Sequence, residues 1–366
     1  MSRDYDQKFM EEALIEARKG VGRTAPNPAV GAVIVKDGKI VGRGYHHRAG
    51  EPHAEVNAIA DAGGLTEGAT IYVTLEPCNH TGRTPPCTKA ILEAGLQKVV
   101  IGSPDPNPGV KGGGAKFLTG CGLQVISGVL EDRCKEVIRP FLKHSLQGIP
   151  WVVMKAGMSL DGKISYRPGQ GGKITSSQSS LHVHHLRDQL DAILIGIGTA
   201  EIDDPSLNVR LEGGDGRDPL RVVIDPDLRL SPSAKMLHLD STAQTWIFCK
   251  HNCSVERHKA LTGQGAVIHE TATNGDGRLN LLEVLQVLGR HGVTSLLVEG
   301  GAKIHASMLG SGLVDEVNLF VAPFFIGDAG VPLLDGLSFA SREQAFKLHK
   351  VETMMMGDDI LIRGYP

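Results

Sequence analysis

The sequence lacks the charge excess, the long apolar run and the paired-cysteine framework that would place it in three large classes of protein. Its net charge is -3 over 366 residues, which argues against a nucleic-acid-binding surface, since neutralising phosphates needs a basic excess. No apolar run approaches the ~20 residues that span a bilayer, and the first residues are too polar for a signal peptide. The six cysteines form no even framework, as expected in a reducing compartment. We therefore expect a cytoplasmic protein that binds neither nucleic acid nor membrane.

The length of the chain predicts two domains rather than one. In residues 1–146, a hairpin with an Asp37-Gly38 turn precedes alternating helices and strands, which predicts a three-layer α/β/α domain. We expect one helix from Glu131 to Ser145 to close this domain. Residues 147–150 are then the linker, and residues 151–366 are a second α/β domain.

The second domain is predicted from its strands. Ala192 to Gly196 is apolar throughout, as buried parallel strands are, and the residues from Thr199 to Arg210 that follow it are expected to form a polar loop. A helix from Leu279 to His291 precedes another apolar strand, and the segments from Phe346 to Thr353 and from Asp359 to Arg363 predict an antiparallel hairpin at the end. The whole chain is thus expected to be α/β in both halves.

One stretch of the first domain combines a histidine and two cysteines in an order that suits a metal. His53 precedes a helix, Cys78 follows a strand and Pro77, and Cys87 stands at the predicted start of the next helix. One imidazole and two thiolates bind zinc and leave a fourth tetrahedral position open for water, as catalytic rather than structural zinc sites do. Zinc lowers the pKa of that water to about 7.

Glu55 follows His53 closely enough to enter this site without binding the metal. A carboxylate there takes the proton of the water and passes it to a leaving group, which is the chemistry of zinc-dependent nucleobase deaminases. His80 is an alternative ligand to Cys87, although Cys78 and His80 would then share one tight turn. Cys249 and Cys253 resemble a second metal site, but no further ligand pair accompanies them.

Glycines and charges in the second domain indicate a site for an anionic ligand. The segment Gly196-Ile197-Gly198 lacks the third glycine of the dinucleotide fingerprint. Gly300-Gly301 lies between a strand and a helix whose free amides suit a phosphate, and a plain tight turn is the alternative. Arg187 and Arg210 are candidates for a second phosphate, unless they are simply solvated charges.

At this point the chain resembles a known family, the bifunctional deaminase-reductases of bacterial riboflavin biosynthesis. The resemblance rests on His53-Ala54-Glu55, on the long gap from Pro77-Cys78 to Cys87, and on three segments of the second half. Those segments are Lys155 to Lys163, Asp203 to Arg210 and Val298 to Gly301. The likeness covers nearly the whole chain, and the gap between the cysteines is specific to this family among zinc deaminases.

The resemblance implies a cytidine-deaminase-like domain followed by a dihydrofolate-reductase-like domain. It implies zinc-dependent hydrolytic deamination of 2,5-diamino-6-ribosylamino-4(3H)-pyrimidinone 5′-phosphate, and then reduction of the ribosyl group to ribityl by NADPH. The expected cofactors are one zinc ion per chain and NADPH. The expected partner is a small phosphorylated pyrimidine, and the chain is expected to form a homo-oligomer.

The resemblance also assigns roles to individual residues. Zinc ligands are His53, Cys78 and Cys87, and Glu55 moves protons. The cofactor positions are Gly157, Lys173, Thr199, Asp203, Gly301, Ala302, Lys303, Ile304, His305, Ala306 and Ser307. The substrate positions are Gly171, Arg187, Leu207, Arg210 and Glu299. Apart from the resemblance, Asn27 lies on a proline-flanked turn that can present its amide to a substrate, and a simple turn-forming role is the alternative. Relatives commonly carry serine where this chain has Gly171, which cannot donate a side-chain hydrogen bond.

Two other functions stay open on the sequence. One is a zinc deaminase with a non-catalytic second half, against which the intact Glu299-Gly300-Gly301 and Asp203-Asp204-Pro205 segments count. The other is a zinc-stabilised binding protein, in which Glu55 beside an open metal position would have no use.

Overall fold

The structure, a computed structural model, describes residues 3–80, 85–105, 113–214 and 216–366. Thr81 to Thr84, in the gap between the two cysteines of the motif, therefore lie outside the described residues. The chain divides into two compact units, Met1–Gly148 and Ile149–Pro366.

The first unit alternates helices and strands after an initial hairpin. Its helices are α1 (Arg3–Lys19), α2 (Ala54–Ala62), α3 (Cys87–Glu93), α4 (Gly114–Gly120), α5 (Glu131–Val137) and α6 (Arg139–Gln147). Its strands are β1 (Gly31–Lys36), β2 (Lys39–Tyr45), β3 (Thr70–Leu75), β4 (Lys98–Ser103) and β5 (Gln124–Ser127). The hairpin turns at Asp37 and Gly38, both at positive φ, as the Asp-Gly signal predicts.

These strands form one sheet in the order β2-β1-β3-β4-β5, with antiparallel pairing at β1 and parallel pairing from β3 onward. Side chains on β1 alternate between two cores, since Ile34 packs with α2 and α3 residues whereas Val33 and Val35 pack with α1. The predicted three-layer α/β/α arrangement is therefore confirmed.

The second unit is built on a larger sheet. Its helices are α7 (Ser177–Gln189), α8 (Ile197–Asp203), α9 (Val255–Thr262), α10 (Leu281–Arg290) and α11 (Ala302–Gly310). Its strands are β6 (Trp151–Ser159), β7 (Lys163–Ser165), β8 (Ala192–Gly196), β9 (Leu220–Ile224), β10 (Thr245–Lys250), β11 (Val267–Thr271), β12 (Ser295–Val298), β13 (Glu316–Ala322), β14 (Val331–Pro332), β15 (His349–Met356) and β16 (Asp359–Tyr365).

The main sheet runs β11-β10-β9-β8-β12-β6-β13-β16-β15. It is parallel from β11 to β13, and β16 and β15 add the predicted antiparallel hairpin at one edge. Both faces of β8 are buried: Leu194 packs in a core with α10, and Ile193 and Ile195 pack in a core with α8 and α9. Because parallel strands share a carboxyl edge, the residues that follow β6, β8, β9 and β12 meet along one rim of the sheet.

Two sequence-based expectations about elements are wrong. The single helix from Glu131 to Ser145 is two helices, α5 and α6, because Pro140 at the start of α6 cannot donate the helical hydrogen bond to residue 136. The expected polar loop after β8 begins as helix α8, which carries both Thr199 and Asp203. Among the described residues, no helix has the length and apolar character to cross a membrane.

Candidate active sites

The three expected metal ligands of the first unit lie together. His53 caps α2, Cys87 is the first residue of α3, and Cys78 follows β3 in a non-helical segment. His53 Nδ1 is 3.2 Å from Cys87 Sγ and 3.6 Å from Cys78 Sγ. All three ligand atoms lie within 4.8 Å of one another.

The chemistry of this donor set fits zinc. A hydrogen bond with Cys87 and another with His53 lower the pKa of the Cys78 thiol to about 4, against the opposing effect of burial. The backbone N–H of Cys87 also donates to Cys78 Sγ at 3.4 Å. A thiolate is the form that binds metal, and three protein ligands from imidazole and thiolate are a catalytic zinc set.

Glu55 is the carboxyl group beside this cluster. It is 3% exposed on the first turn of α2, and burial raises its pKa. Glu76, the other nearby carboxylate, accepts the backbone N–H groups of Ala115 at 2.9 Å and Asp105 at 3.3 Å. Glu76 is thus committed to the backbone, whereas Glu55 remains available to exchange a proton.

Sequence reasoning missed His46, a buried neighbour of the cluster. Its ring lies 5.2 Å from that of His53, and its Nδ1 donates to the Pro52 carbonyl at 3.1 Å. Nε2 of His46 therefore accepts a hydrogen bond from the Asn27 amide at 3.1 Å. His46 thus connects Asn27 to His53 of the metal cluster. The only sequence signal was a histidine directly after strand β2. His80, the alternative ligand, is exposed and lies outside the cluster.

A cavity of about 920 Å³ opens at the carboxyl rim of the second sheet. Most of the expected reductase residues line it: Gly157, Gly171, Lys173, Arg187, Thr199, Asp203, Arg210, Glu299, Gly301, Ala302, Lys303, Ile304, His305 and Ser307. Two expected residues do not. Leu207 is 3% exposed and packs in the core, and Ala306 is 4% exposed on the other side of α11.

Three charged residues that line this cavity, Lys155, Arg187 and Glu299, form an ion-pair network. Arg187 donates from Nε and Nη2 to the two carboxylate oxygens of Glu299 at 2.7 and 3.0 Å, and Lys155 Nζ lies 3.3 Å from Glu299. Burial acts to raise the pKa of Glu299, but Lys155 and Arg187 together outweigh it and lower the pKa to about 2. Lys155 begins one of the segments that resemble the family, but the sequence analysis predicted no role for it. The one indication in the sequence was a lysine inside an otherwise apolar strand.

The network changes the expectation that Arg187 and Arg210 hold a phosphate together. Arg187 also donates from its remaining nitrogen, Nη1, to the Asn208 carbonyl at 3.2 Å. All three guanidinium nitrogens are therefore hydrogen-bonded to protein groups. Arg210 is exposed, and its guanidinium has no hydrogen-bond or ion-pair partner among the described residues. Arg210 is therefore the better placed of the two for an incoming phosphate.

The turn between β12 and α11 has no room for side chains. A Cβ on Gly300 would lie 2.5 Å from Ile195 Cα, and one on Gly301, at φ +71°, would lie 2.9 Å from Thr199 Oγ1. Backbone therefore approaches backbone here, and the first N–H groups of α11 face the same rim as Thr199. This cradle fits a phosphate group.

His305 provides an independent sign that the cavity receives a ligand. Its side chain lines the cavity and is 2% exposed, yet neither ring nitrogen makes a well-aligned hydrogen bond among the described residues. Burial lowers its pKa to about 4, against weak interactions with the backbone of Leu333 and Val298. A buried neutral imidazole without well-aligned partners is costly unless a ligand or water completes its bonds.

Comparison with known proteins finds a family model for each of the two units. The family model described as "Cytidine and deoxycytidylate deaminase zinc-binding region" matches residues 3–103, and the model described as "RibD C-terminal domain" matches residues 150–362. The riboflavin biosynthesis protein RibD of Bacillus amyloliquefaciens is 39% identical over 362 residues, with 99% of this chain and 96% of the relative covered.

The chain belongs to the RibD family. A solved structure of Acinetobacter baumannii RibD superposes with a TM-score of 0.90 at 35% identity, covering 100% of this chain and 99% of that chain. A Thermotoga maritima structure, titled a diaminohydroxyphosphoribosylaminopyrimidine deaminase/5-amino-6-(5-phosphoribosylamino)uracil reductase, does so with a TM-score of 0.86 at 35% identity, covering 100% and 99%. The chain is accordingly a bifunctional enzyme of riboflavin biosynthesis, a zinc-dependent deaminase and an NADPH-dependent reductase, and the expected fold classes are confirmed.

Proposed function

We propose that the two activities are divided between the two units and are carried by the residues described above. Residues 1–146 form the deaminase, residues 151–366 form the reductase, and residues 147–150 link them. The substrate is the phosphorylated diaminopyrimidine named above. The observation that supports this proposal is that suitable side chains gather in each unit, the His53, Cys78 and Cys87 cluster in one and the cavity lined by Glu299 in the other.

In the deaminase, His53, Cys78 and Cys87 hold zinc, and zinc bound there supplies the Lewis acidity that makes water a nucleophile near neutral pH. Glu55 accepts a proton and returns it to the departing amine. Burial raises the pKa of this carboxyl group and so favours its protonated form, and a group that gains and then loses a proton is what general acid-base catalysis requires. Asn27, held by His46, offers its amide oxygen to the substrate.

In the reductase, NADPH bound in this cavity would supply the hydride that reduces the sugar carbon of the substrate, with a proton from solvent completing the ribityl group. The Gly300-Gly301 turn and Thr199 form the cradle for the cofactor diphosphate, and His305 completes its hydrogen bonds with the bound ligand. Arg210 holds the phosphate of the substrate. The ion pairs of Glu299 with Arg187 and Lys155 fix these three side chains in one geometry, so that the polar edge of the pyrimidine meets preorganised groups.

The test of the proposal is to supply the protein with the diaminopyrimidine substrate and NADPH and to follow ammonia release and NADPH oxidation separately. Ammonia release alone is expected without NADPH, and both signals are expected with it. If the protein releases ammonia from the diaminopyrimidine but does not oxidise NADPH when given the deaminated compound, the second unit is a non-catalytic domain.

We also propose that the chain forms a homo-oligomer. Within the described strands, β15 is the last one of its sheet, and Met354 and Met355 on it are 58% and 62% exposed. An edge strand with exposed apolar side chains favours association. Sedimentation velocity should give a mass above that of one chain, and a monomer at all concentrations would contradict the proposal.

The remaining proposals concern the cellular location of the protein and its binding partners. All six cysteines are unpaired, which supports a reducing cytoplasm. The net charge of -3 supports small molecules rather than nucleic acids as partners. Fractionation of cells that express the chain would test its location.

A further inference from the structure

The segment from Leu207 to Arg210 carries the side chain that holds the substrate phosphate, yet it belongs to no helix or strand. Leu207 fixes the start of this segment, because its side chain is 3% exposed and packs in the core. Val209 donates its backbone N–H to Asp218 Oδ1 at 2.7 Å. Arg210 itself is exposed, so hydrogen bonds rather than packing must fix the point from which its side chain extends.

Helix α7 supplies the contacts that hold the end of this segment. Arg187 Nη1 donates to the Asn208 carbonyl at 3.2 Å, and His184 Nδ1 accepts the backbone N–H of Arg210 at 3.2 Å. Residues three apart lie on the same face of a helix, and both of these α7 side chains line the cavity. The segment is therefore held against the cavity face of α7 at residues 208 and 210.

These two contacts differ in what else they serve. Arg187 is also hydrogen-bonded to both carboxylate oxygens of Glu299, so a change at Arg187 would disturb the ion-pair network as well. The bond from His184 reaches the backbone of Arg210 itself, the residue whose guanidinium is open to the substrate. His184 is therefore the side chain through which the position of Arg210 can be tested separately from the network.

The imidazole of His184 is in the charge state that this bond requires. Burial lowers its pKa to about 4, and the positive charges of Arg187 and Arg210 act in the same direction, against the opposing effects of Glu299 and of the Asn208 backbone. A neutral imidazole has one nitrogen without a proton, and this nitrogen is Nδ1, because it accepts from Arg210. The neutral ring also adds no positive charge beside the two guanidinium groups.

We propose that His184 is a positioning residue for the reduction, which holds the backbone of Arg210 so that its guanidinium meets the phosphate of the substrate. The inference rests on the proposed reductase function and on the role of Arg210 within it. A segment that is already held loses less conformational entropy when the substrate binds. Because His184 acts through Arg210, its loss should weaken substrate binding no more than loss of the Arg210 side chain does.

The test is a double-mutant cycle on the full chain, supplied with the deaminated compound and NADPH. KM and kcat are measured for the wild type, His184→Leu, Arg210→Ala and the double variant. His184→Leu should raise the KM of the deaminated compound about three- to ten-fold, as expected for one lost hydrogen bond. The kcat and the Kd for NADPH should not change. In the Arg210→Ala background, His184→Leu should raise the KM no further.

Three further variants separate the hydrogen bond from the bulk of the ring. His184→Asn places an amide oxygen where Nδ1 was, since both atoms are bonded to Cγ, and should restore most of the wild-type KM. His184→Ala should match His184→Leu. His185→Leu is the matched control, because His185 is the next residue of α7, is exposed and is not among the residues that line the cavity. Tryptophan fluorescence checks folding, because Trp151 and Trp246 are the only tryptophans and both belong to the second unit.

An equal rise in KM with and without the Arg210 side chain would overturn the proposal, because His184 would then act on the substrate directly. A fall in kcat, an unchanged KM in His184→Leu, or a KM in His184→Asn as high as in His184→Leu would also contradict it. A wild-type KM in Arg210→Ala would instead remove Arg210 from the phosphate site, and the inference with it. A wild type that does not oxidise NADPH would overturn the reductase function itself.

Discussion

At the scale of single residues, Glu55 is the group on which the deaminase depends. Glu55→Gln keeps the size of the side chain but cannot carry a proton. Since general acid-base catalysis contributes typically 10²–10⁴-fold and one group does both jobs, the rate of ammonia release should fall at least about a hundred-fold. Atomic emission should still find one zinc ion per chain. If the variant loses zinc, Glu55 is a metal ligand or an essential support of the ligands. If zinc stays and the rate of ammonia release falls only a few-fold, another group carries the proton.

Arg210 is the corresponding test in the reductase. Arg210→Ala should raise the KM of the phosphorylated substrate about ten- to a hundred-fold, because it removes a charge-assisted contact. Kd for NADPH should stay the same, and Arg290→Ala serves as the control for loss of one exposed positive charge. An increase in the Kd for NADPH with an unchanged KM for substrate would assign Arg210 to the cofactor instead.

Glu299 gives the second unit a predictable dependence on pH. Its pKa is about 2 in the folded chain and 4.5 ordinarily, so its ion pairs stabilise the fold fully above pH 4.5 and lose this effect as pH falls toward 2. Glu299→Gln leaves Arg187 and Lys155 with an uncharged partner and should cost roughly 3–5 kcal/mol at neutral pH. Denaturant titrations read by tryptophan fluorescence should show the difference between wild type and variant shrinking between pH 4.5 and pH 2. A difference that stays constant with pH would show that the carboxylate charge is not what stabilises this network.

At the scale of elements, the turn that opens α11 is the most constrained. Gly300→Ala brings a Cβ to 2.5 Å from the Ile195 backbone, and overpacking of this kind costs typically 1–3 kcal/mol. The shift should also spoil the phosphate cradle, so NADPH should no longer raise the melting temperature. Gly64→Ala is the matched control, since nothing lies within 4 Å of its Cβ position. A Gly300→Ala protein that NADPH stabilises as well as wild type would exclude this turn from the cofactor site.

Most elements could be predicted because hydrophobic periodicity and turn residues are local signals. The β8 strand and the Asp37-Gly38 hairpin turn are cases in which neighbouring residues alone decide the structure. The break before Pro140 was missed because the apolar pattern continues across it. Helix α8 was missed because its polar residues resemble a loop; its buried members, Ile197 and Ala200, are recognisable only against the core that they join.

Some site residues could likewise be predicted from the sequence, and others could not. The zinc set could be read from the sequence, since few other roles require His53, Cys78, Cys87 and Glu55 in that order. The partner of Arg187 could not, because Glu299 is 112 residues away in the chain and only the sheet order brings the two together. His46 was missed for the same reason, since its contacts with Asn27 and Pro52 are visible only in the folded chain.

At the scale of the whole molecule, the two proposed activities belong to separate units and should be lost separately. Cys78→Ser removes a zinc ligand in the first unit and changes no residue of the second unit. Cys121→Ser, at an exposed cysteine of the same unit, is the matched control and should behave as wild type.

The most direct measurement gives both variants first the diaminopyrimidine substrate and then the already deaminated compound with NADPH. Cys78→Ser should hold no zinc and release no ammonia from the first, yet oxidise NADPH with the second at the wild-type rate. Loss of NADPH oxidation in a Cys78→Ser protein whose tryptophan fluorescence is that of the folded chain would contradict the account.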